Sequence, residues 1–225
     1  MYEFDFSSIP GALPILGAGL LVTLKLTGVA IVVGIVWGTL LALARLSGNR
    51  LLGTMAAGYV NLFRAVPLVM VILWFYLIVP TLLKDWAGLG QGTDIRMASA
   101  LVAFALFESA YYAEIIRAGV RSVPQGQVNA ARALGMTYTQ TMRLVVLPQA
   151  LRNMLPLLLT QAIILFQDTS LVYVIGLADF FGAAYKVGDR DGRLVELLLF
   201  AGAVYFVLCF GASLLVRRLQ KRIAV

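Results

Sequence analysis

Four ionisable side chains, Lys25, Glu108, Glu114 and Asp168, lie inside apolar stretches of the 225-residue sequence. At the centre of a bilayer such a group costs at least about 2.5 kcal/mol, so it faces a protein interior or a water-lined cavity. Asp168 belongs to the polar run Gln167-Asp168-Thr169-Ser170, and Gln161 stands two helical turns earlier. On a helix these side chains project to one side and can line a path for a polar solute. Pairing with a buried base, or capping a broken helix, would account for Asp168 equally well. Lys25 sits five or six residues into the first span as the sequence reads, where it can snorkel outward. Glu114 precedes Arg117 by three residues, the spacing of an ion pair on one helix face, and reads as structural. Imidazole and most metal chemistry are excluded, because the sequence has no histidine. Its single cysteine, Cys209, lies in an apolar run as a packing residue.

The elements that must position these groups are membrane spans. Hydrophobic residues make up 61% of the chain and charged ones 13%, against about 25% charge in soluble domains, and mean hydropathy is +0.91. Nineteen uncharged residues separate Lys25 from Arg45, nineteen separate Arg64 from Lys84, and twenty separate Glu196 from Arg217. Each run meets the roughly 20 residues a crossing needs. Met97 to Ile116 and Asn153 to Ala178 are also long enough and carry the acids inside, so five spans are predicted. The start, MYEFDFSSIPG, has neither a basic region nor a small-residue cleavage site and reads as no removable signal.

Charge orients the spans. Residues 45–64, 117–152 and the tail at 217–222 hold twelve basic groups and no acid, whereas the N-terminus, 84–96 and 179–196 hold five basic and eight acidic groups. Basic loops stay cytoplasmic, so the N-terminus is expected outside and the C-terminus inside. Trp74 and Trp86, with Tyr76, flank the outer end of the second span, where amphipathic rings favour the headgroups. The net charge of +7 thus orients the protein and gives no reason to expect nucleic acid.

Residues 117–152 form an unusually long connection. Pro124 suits a helix start, Gln125 to Leu134 favours helix, and Gly135 suits the left-handed position past its end. A second helix is predicted from Thr137 to Leu147, stopped by Pro148. A surface of small and apolar residues on the first helix would dock on a partner, on the membrane domain itself or at the lipid interface.

Within this connection, Asn129-Ala130-Ala131, three residues, Gly135, nine residues and Val145-Val146-Leu147-Pro148 match the spacing of the EAA loop of ABC importer permeases. Asn129 replaces the motif's glutamate and Val145 its isoleucine. FRAVPLV at 63–69, YYAEIIRAGVRSVPQGQ at 111–127, LPQALRNMLPLL at 147–158 and QDTSLVYVIGLADFF at 167–181 extend the likeness. On these residues the chain resembles the permease subunits of the polar amino-acid family, nearest their glutamate/aspartate branch.

The resemblance implies an all-α membrane protein with five transmembrane helices, the type I importer (MetI-like) fold, as one permease domain over 1–225 with its coupling loop at 117–152. It implies a non-enzymatic subunit with no cofactor of its own, ATP and magnesium belonging to partner ATPases. No G-x-x-x-x-G-K-[ST] stands in the sequence, and Gly11, Gly17, Gly19 and Gly28 read as close helix packing in lipid. The implied partners are a second permease, identical or homologous, two cytoplasmic ATPases, an extracytoplasmic amino-acid-binding protein, the amino acid and membrane lipid. ATPase coupling would fall to Asn129, Ala130, Ala131, Gly135, Leu147 and Pro148. An acidic amino acid needs donors for two carboxylates, from Arg64 and Lys25, and an acceptor for its ammonium group, from Glu108, Asp168, Thr169 or Ser170, beside Gln161. Positive-inside anchoring explains Arg64 as well. The competing expectations are an ATP-independent channel or carrier, a permease for another polar amino acid such as glutamine, and a scaffold without transport.

Overall fold

In a computed structural model, which describes residues 3–87 and 94–223 and only the backbone at 79, 81–87 and 223, the long apolar runs fold as helices. Helix α1, Ser8–Leu46, runs for 39 residues and stops at Ser47-Gly48-Asn49, where Gly48 turns the chain at φ 75°. The Asn49 side chain then accepts the backbone N–H groups of Leu51 (3.0 Å) and Leu52 (3.2 Å), capping α2, Arg50–Ala65. Val66 is extended, as a residue before proline must be, and α3, Leu68–Ala87, departs from α2 at 104°. Among the described residues four helical rods are long and apolar enough to cross a membrane, and the bent α2–α3 pair brings the number to five if it counts as one broken span. The span expected between Arg64 and Lys84 is α3 apart from its first residues, Ala65 ending α2 and Val66-Pro67 forming the break. Lys25, expected near the start of its span, lies 17 residues beyond Ser8, about 26 Å along the axis. Trp74 is exposed, while Lys84 and Trp86 have side chains outside the described residues.

Helix α4, Arg96–Arg121, is the centre about which α1, α2, α3 and α7 pack. Its buried face is rich in alanine and serine, and α1 meets it through Gly34 and Gly38, four residues apart. A Cβ at Gly38 would lie 2.8 Å from the Ser109 carbonyl oxygen and 2.9 Å from the Ala113 nitrogen, so only glycine permits this approach. Among the glycines expected to pack, Gly19 does, against the Asp179 carbonyl, but Gly11, Gly17 and Gly28 face open space. Gly38→Ala is therefore expected to destabilise the protein by about 1–3 kcal/mol, whereas Gly28→Ala leaves it unchanged or slightly firmer. Thermal unfolding of the two variants in detergent measures the contrast.

After α4 come α5, Gln125–Ala133, and α6, Tyr138–Gln140, the latter opened by a reciprocal cap between Thr137 and Gln140. Pro148 was expected to end a helix here; instead a π-helical turn, Thr141–Val146, carries the chain into α7, Leu147–Asp168, with Pro148 in its first turn. The wider turn admits a residue that has no N–H. Helix α7 tightens into a 3-10 segment, Thr169–Ile175, and ends at Gly176 with φ 72°. Helix α8, Phe180–Arg190, lies where only a loop was expected, and α9, Leu194–Ile223, closes the fold.

Candidate functional site

Helices α4 and α7 carry the buried pair Glu108 and Gln161, with Asp168 further along α7. The Glu108 side chain, wholly buried, accepts hydrogen bonds from Gln161 Nε2 at 3.1 and 3.4 Å. One and a half to two turns further along the same face of α7, Asp168 forms the last residue before the helix tightens, half-buried and within electrostatic reach of Glu108. Its carboxylate has no hydrogen-bond or ion-pair partner among the described residues. Two acids on neighbouring helices repel each other, and a positive charge between them would relieve that repulsion.

Arg64 extends this site from the last turn of α2. Its guanidinium lies 5.5 Å from the centre of the Tyr111 ring, in the geometry of a cation–π contact, and Tyr111 is within reach of Arg64, Glu108 and Asp168 together. The break at Pro67 is what leaves this helix end beside α4. Arg64 is exposed and has no carboxylate partner among the described residues, so its donors are available to an anion.

The remaining sequence candidates fall elsewhere. Lys25 is exposed on α1 and ion-pairs with none of the described residues. Thr169 is fully buried and donates to the Phe166 carbonyl at 2.7 Å; it turns toward Tyr205 and not to Asp168. Ser170 is half-buried in the 3-10 segment. Glu114 meets Arg117 as its spacing predicted, and also accepts from Arg45 of α1 at 2.5 Å, a partner 69 residues away that no local pattern reveals.

A second polar cluster was missed from sequence. Asp179, fully buried, caps α8 by accepting from Gly182 N at 2.9 Å and Phe181 N at 3.2 Å, while Phe180 N donates to Thr23 Oγ1 at 3.1 Å. Tyr205 approaches the same carboxylate at 3.5 Å, so α8 is tied to α1 and α9. An aspartate just before Phe180-Phe181-Gly182 was the available signal, a cap without a long periodic run behind it. Where the turn before α8 leaves the Gly176 carbonyl free, Arg96 Nη1 (2.8 Å) and Lys186 Nζ (3.3 Å) donate to it.

The connection at 117–152 presents a different kind of surface. Gly135 adopts φ 78°, and its N–H and that of Met136 donate to the carbonyls of Arg132 (2.9 Å) and Ala131 (3.1 Å), the paired bonds that close a helix C-terminus. Ala131, expected to take part in ATPase coupling, is only 4% exposed, and its helix α5 packs on the chain's own π-helical turn. The outward side consists of Asn129, Ala130, Ala133, Leu134 (83% exposed) and Tyr138 (70% exposed). Asn129 is engaged by Gln125 Nε2 at 3.2 Å within its own helix. Leu147 and Pro148 are exposed beside this surface. A leucine and a tyrosine thus stand exposed on either side of the turn at Gly135.

Three comparisons bear on what such a molecule does. The sequence model of the family described as binding-protein-dependent transport system inner membrane component matches residues 30–225. The glutamate/aspartate import permease protein GltK of Escherichia coli O6:H1 is 60% identical over 224 residues, covering 100% of both chains. The arginine transport system permease protein ArtQ of Bacillus subtilis is 34% identical and covers 98% of each. A crystal structure of an amino acid ABC transporter with histidines superposes with a TM-score of 0.88 at 34% identity, over 98% of this chain and 100% of that one.

Proposed function

The chain belongs to the binding-protein-dependent transport system inner membrane components, and from that premise we propose that it is a permease subunit of an ATP-driven importer of glutamate and aspartate. The 60% identity to the Escherichia coli glutamate/aspartate permease, across the full length of both chains, is the observation that carries the substrate. Relatives at 34% identity serve a basic amino acid, so the shared fold alone supports amino-acid import without choosing the side chain.

In this reading residues 1–225 act as one domain that borders half of a pathway, a second permease supplying the other half. An extracytoplasmic binding protein delivers the amino acid. Its ammonium group meets the Asp168 carboxylate, with Glu108 held behind it by Gln161, and a carboxylate meets Arg64 beside Tyr111. Ser170 and Lys25 would take part from the wall of the pathway, whereas Thr169, buried against Phe166 and Tyr205, would not. Two ATPase subunits bind ATP and magnesium and seat against Asn129, Ala130, Leu134, Tyr138, Leu147 and Pro148. Ala131 holds that surface in shape from beneath and Gly135 at the turn.

Co-purification separates this reading from a channel or carrier. A tagged chain expressed with its own operon neighbours is expected to bring down an ATPase and a second permease in stoichiometric amount. Isolation of the chain alone, active in uptake, would reject the importer. The orientation is tested by thiol labelling in a Cys209→Ala background. Asp189→Cys, on the exposed side of α8, should react with an impermeant reagent from outside and Tyr138→Cys should not. Labelling of Tyr138→Cys from outside would reverse the proposed orientation.

A further inference from the structure

An apolar groove of about 510 Å³ runs between α1, α7 and α9, walled by Leu24 and Ile31, by Leu159 and Phe166, and by Leu208 and Leu219. Its one polar lining side chain, Thr27, is already satisfied by donating to the Thr23 carbonyl at 2.9 Å. Nothing in the walls asks for water or for a polar ligand. From Leu208 to Leu219 the groove follows α9 for eleven residues, about 16 Å, which is half the roughly 30 Å hydrocarbon thickness. Its length thus matches one leaflet, and its α9 wall ends at Leu219, beside the C-terminal tail.

The end of the groove is basic. Arg222 lies three residues past Leu219 and Arg218 one before it, both exposed, while Arg152 sits seven residues before Leu159 and so on the same face of α7. None of the three forms an ion pair with the described residues. Long basic side chains at a helix end lie along the interface with their charges at the headgroups. Cationic residues from two walls thus flank the mouth of a dry slot one leaflet deep.

We propose that this groove is a binding site for an anionic glycerophospholipid. One acyl chain lies between α1, α7 and α9, and the phosphate and headgroup are held by Arg152, Arg218 and Arg222. In the orientation proposed above the lipid belongs to the cytoplasmic leaflet. A second permease fits the same slot less well, because helices that meet in lipid present small residues, whereas these walls are mostly leucine, isoleucine and phenylalanine.

Native mass spectrometry of the assembled, detergent-purified complex with added phosphatidylglycerol or phosphatidylcholine tests the site, whatever amino acid the complex carries. Phosphatidylglycerol adducts are expected to survive at several-fold lower lipid concentration than phosphatidylcholine adducts. Arg152→Gln with Arg222→Gln should erase that preference, and Ala212→Phe, which fills the groove, should reduce adducts of both lipids. A photo-reactive residue at Leu215, which is exposed in the groove, should cross-link to lipid. Equal retention of the two lipids, a preference unchanged in the double arginine variant, or cross-linking of Leu215 to another subunit or to detergent alone would each overturn the proposal.

Discussion

Gly135→Val is expected to leave the chain inserted and assembled in the membrane while reducing ATP-driven uptake by roughly 5- to 150-fold. That range corresponds to about 1–3 kcal/mol, the strain of holding a β-branched residue at a positive φ. A Cβ at this position would meet no atom within 4 Å, so the effect comes from the backbone and not from crowding. Valine would shift the chain out of the left-handed region and break the bonds from Gly135 N and Met136 N that seat the end of α5. Leu134 and Tyr138 would then lose their fixed spacing. Leu134→Asp tests the same surface without touching the backbone: it places a charge where an 83%-exposed leucine would be covered by the ATPase. Both variants should lower uptake and the ATPase activity stimulated by loaded binding protein in parallel. Asn129→Ala, which removes only an exposed contact with Gln125, should cost at most about 0.5 kcal/mol. Normal coupling in a Gly135→Val, Leu134→Asp double variant would remove this loop from the ATPase interface.

Asp168→Asn is expected to reduce uptake by one to two orders of magnitude in a complex that assembles normally. A hydrogen bond to a charged group contributes about 1.5–3 kcal/mol, which is that factor in affinity or rate. The carboxylate has no partner of its own among the described residues, so neutralising it orphans nothing and should spare folding. Glu108→Gln differs: the side chain is buried and receives both contacts from Gln161, so a smaller loss of uptake with some loss of stability is expected. Measuring uptake beside the amount of folded complex in membranes distinguishes the two. Loss of Asp168→Asn protein from the membrane would assign that residue to structure, and unchanged uptake would remove it from the pathway.

What the sequence made legible was local. Gly135 as a helix stop, Pro124 before α5, the Glu114–Arg117 pair and the shared face of Gln161 and Asp168 all follow from spacings within two turns. Long-range contacts were not legible, because nothing near Glu114 marks Arg45 and nothing near Thr169 turns it toward Tyr205. Apolar composition also hid boundaries. It left α2 unmarked, although Ser47-Gly48-Asn49 held the stop and the cap, and Pro67 the break that follows. It hid which glycines pack, since Gly28 and Gly38 stand in similar runs and only the partner helix distinguishes them. Pro148 misled for a backbone reason: a π-helical turn absorbed the missing donor that would otherwise end a helix.

Proteoliposomes holding the purified complex show whether import is driven by ATP and selects acidic amino acids. With binding protein outside and ATP inside, labelled glutamate and aspartate should accumulate against their gradients, each should compete with the other, and excess arginine should leave uptake unchanged. Accumulation that is independent of ATP, or transport of arginine at the same rate as glutamate, would contradict the proposed function.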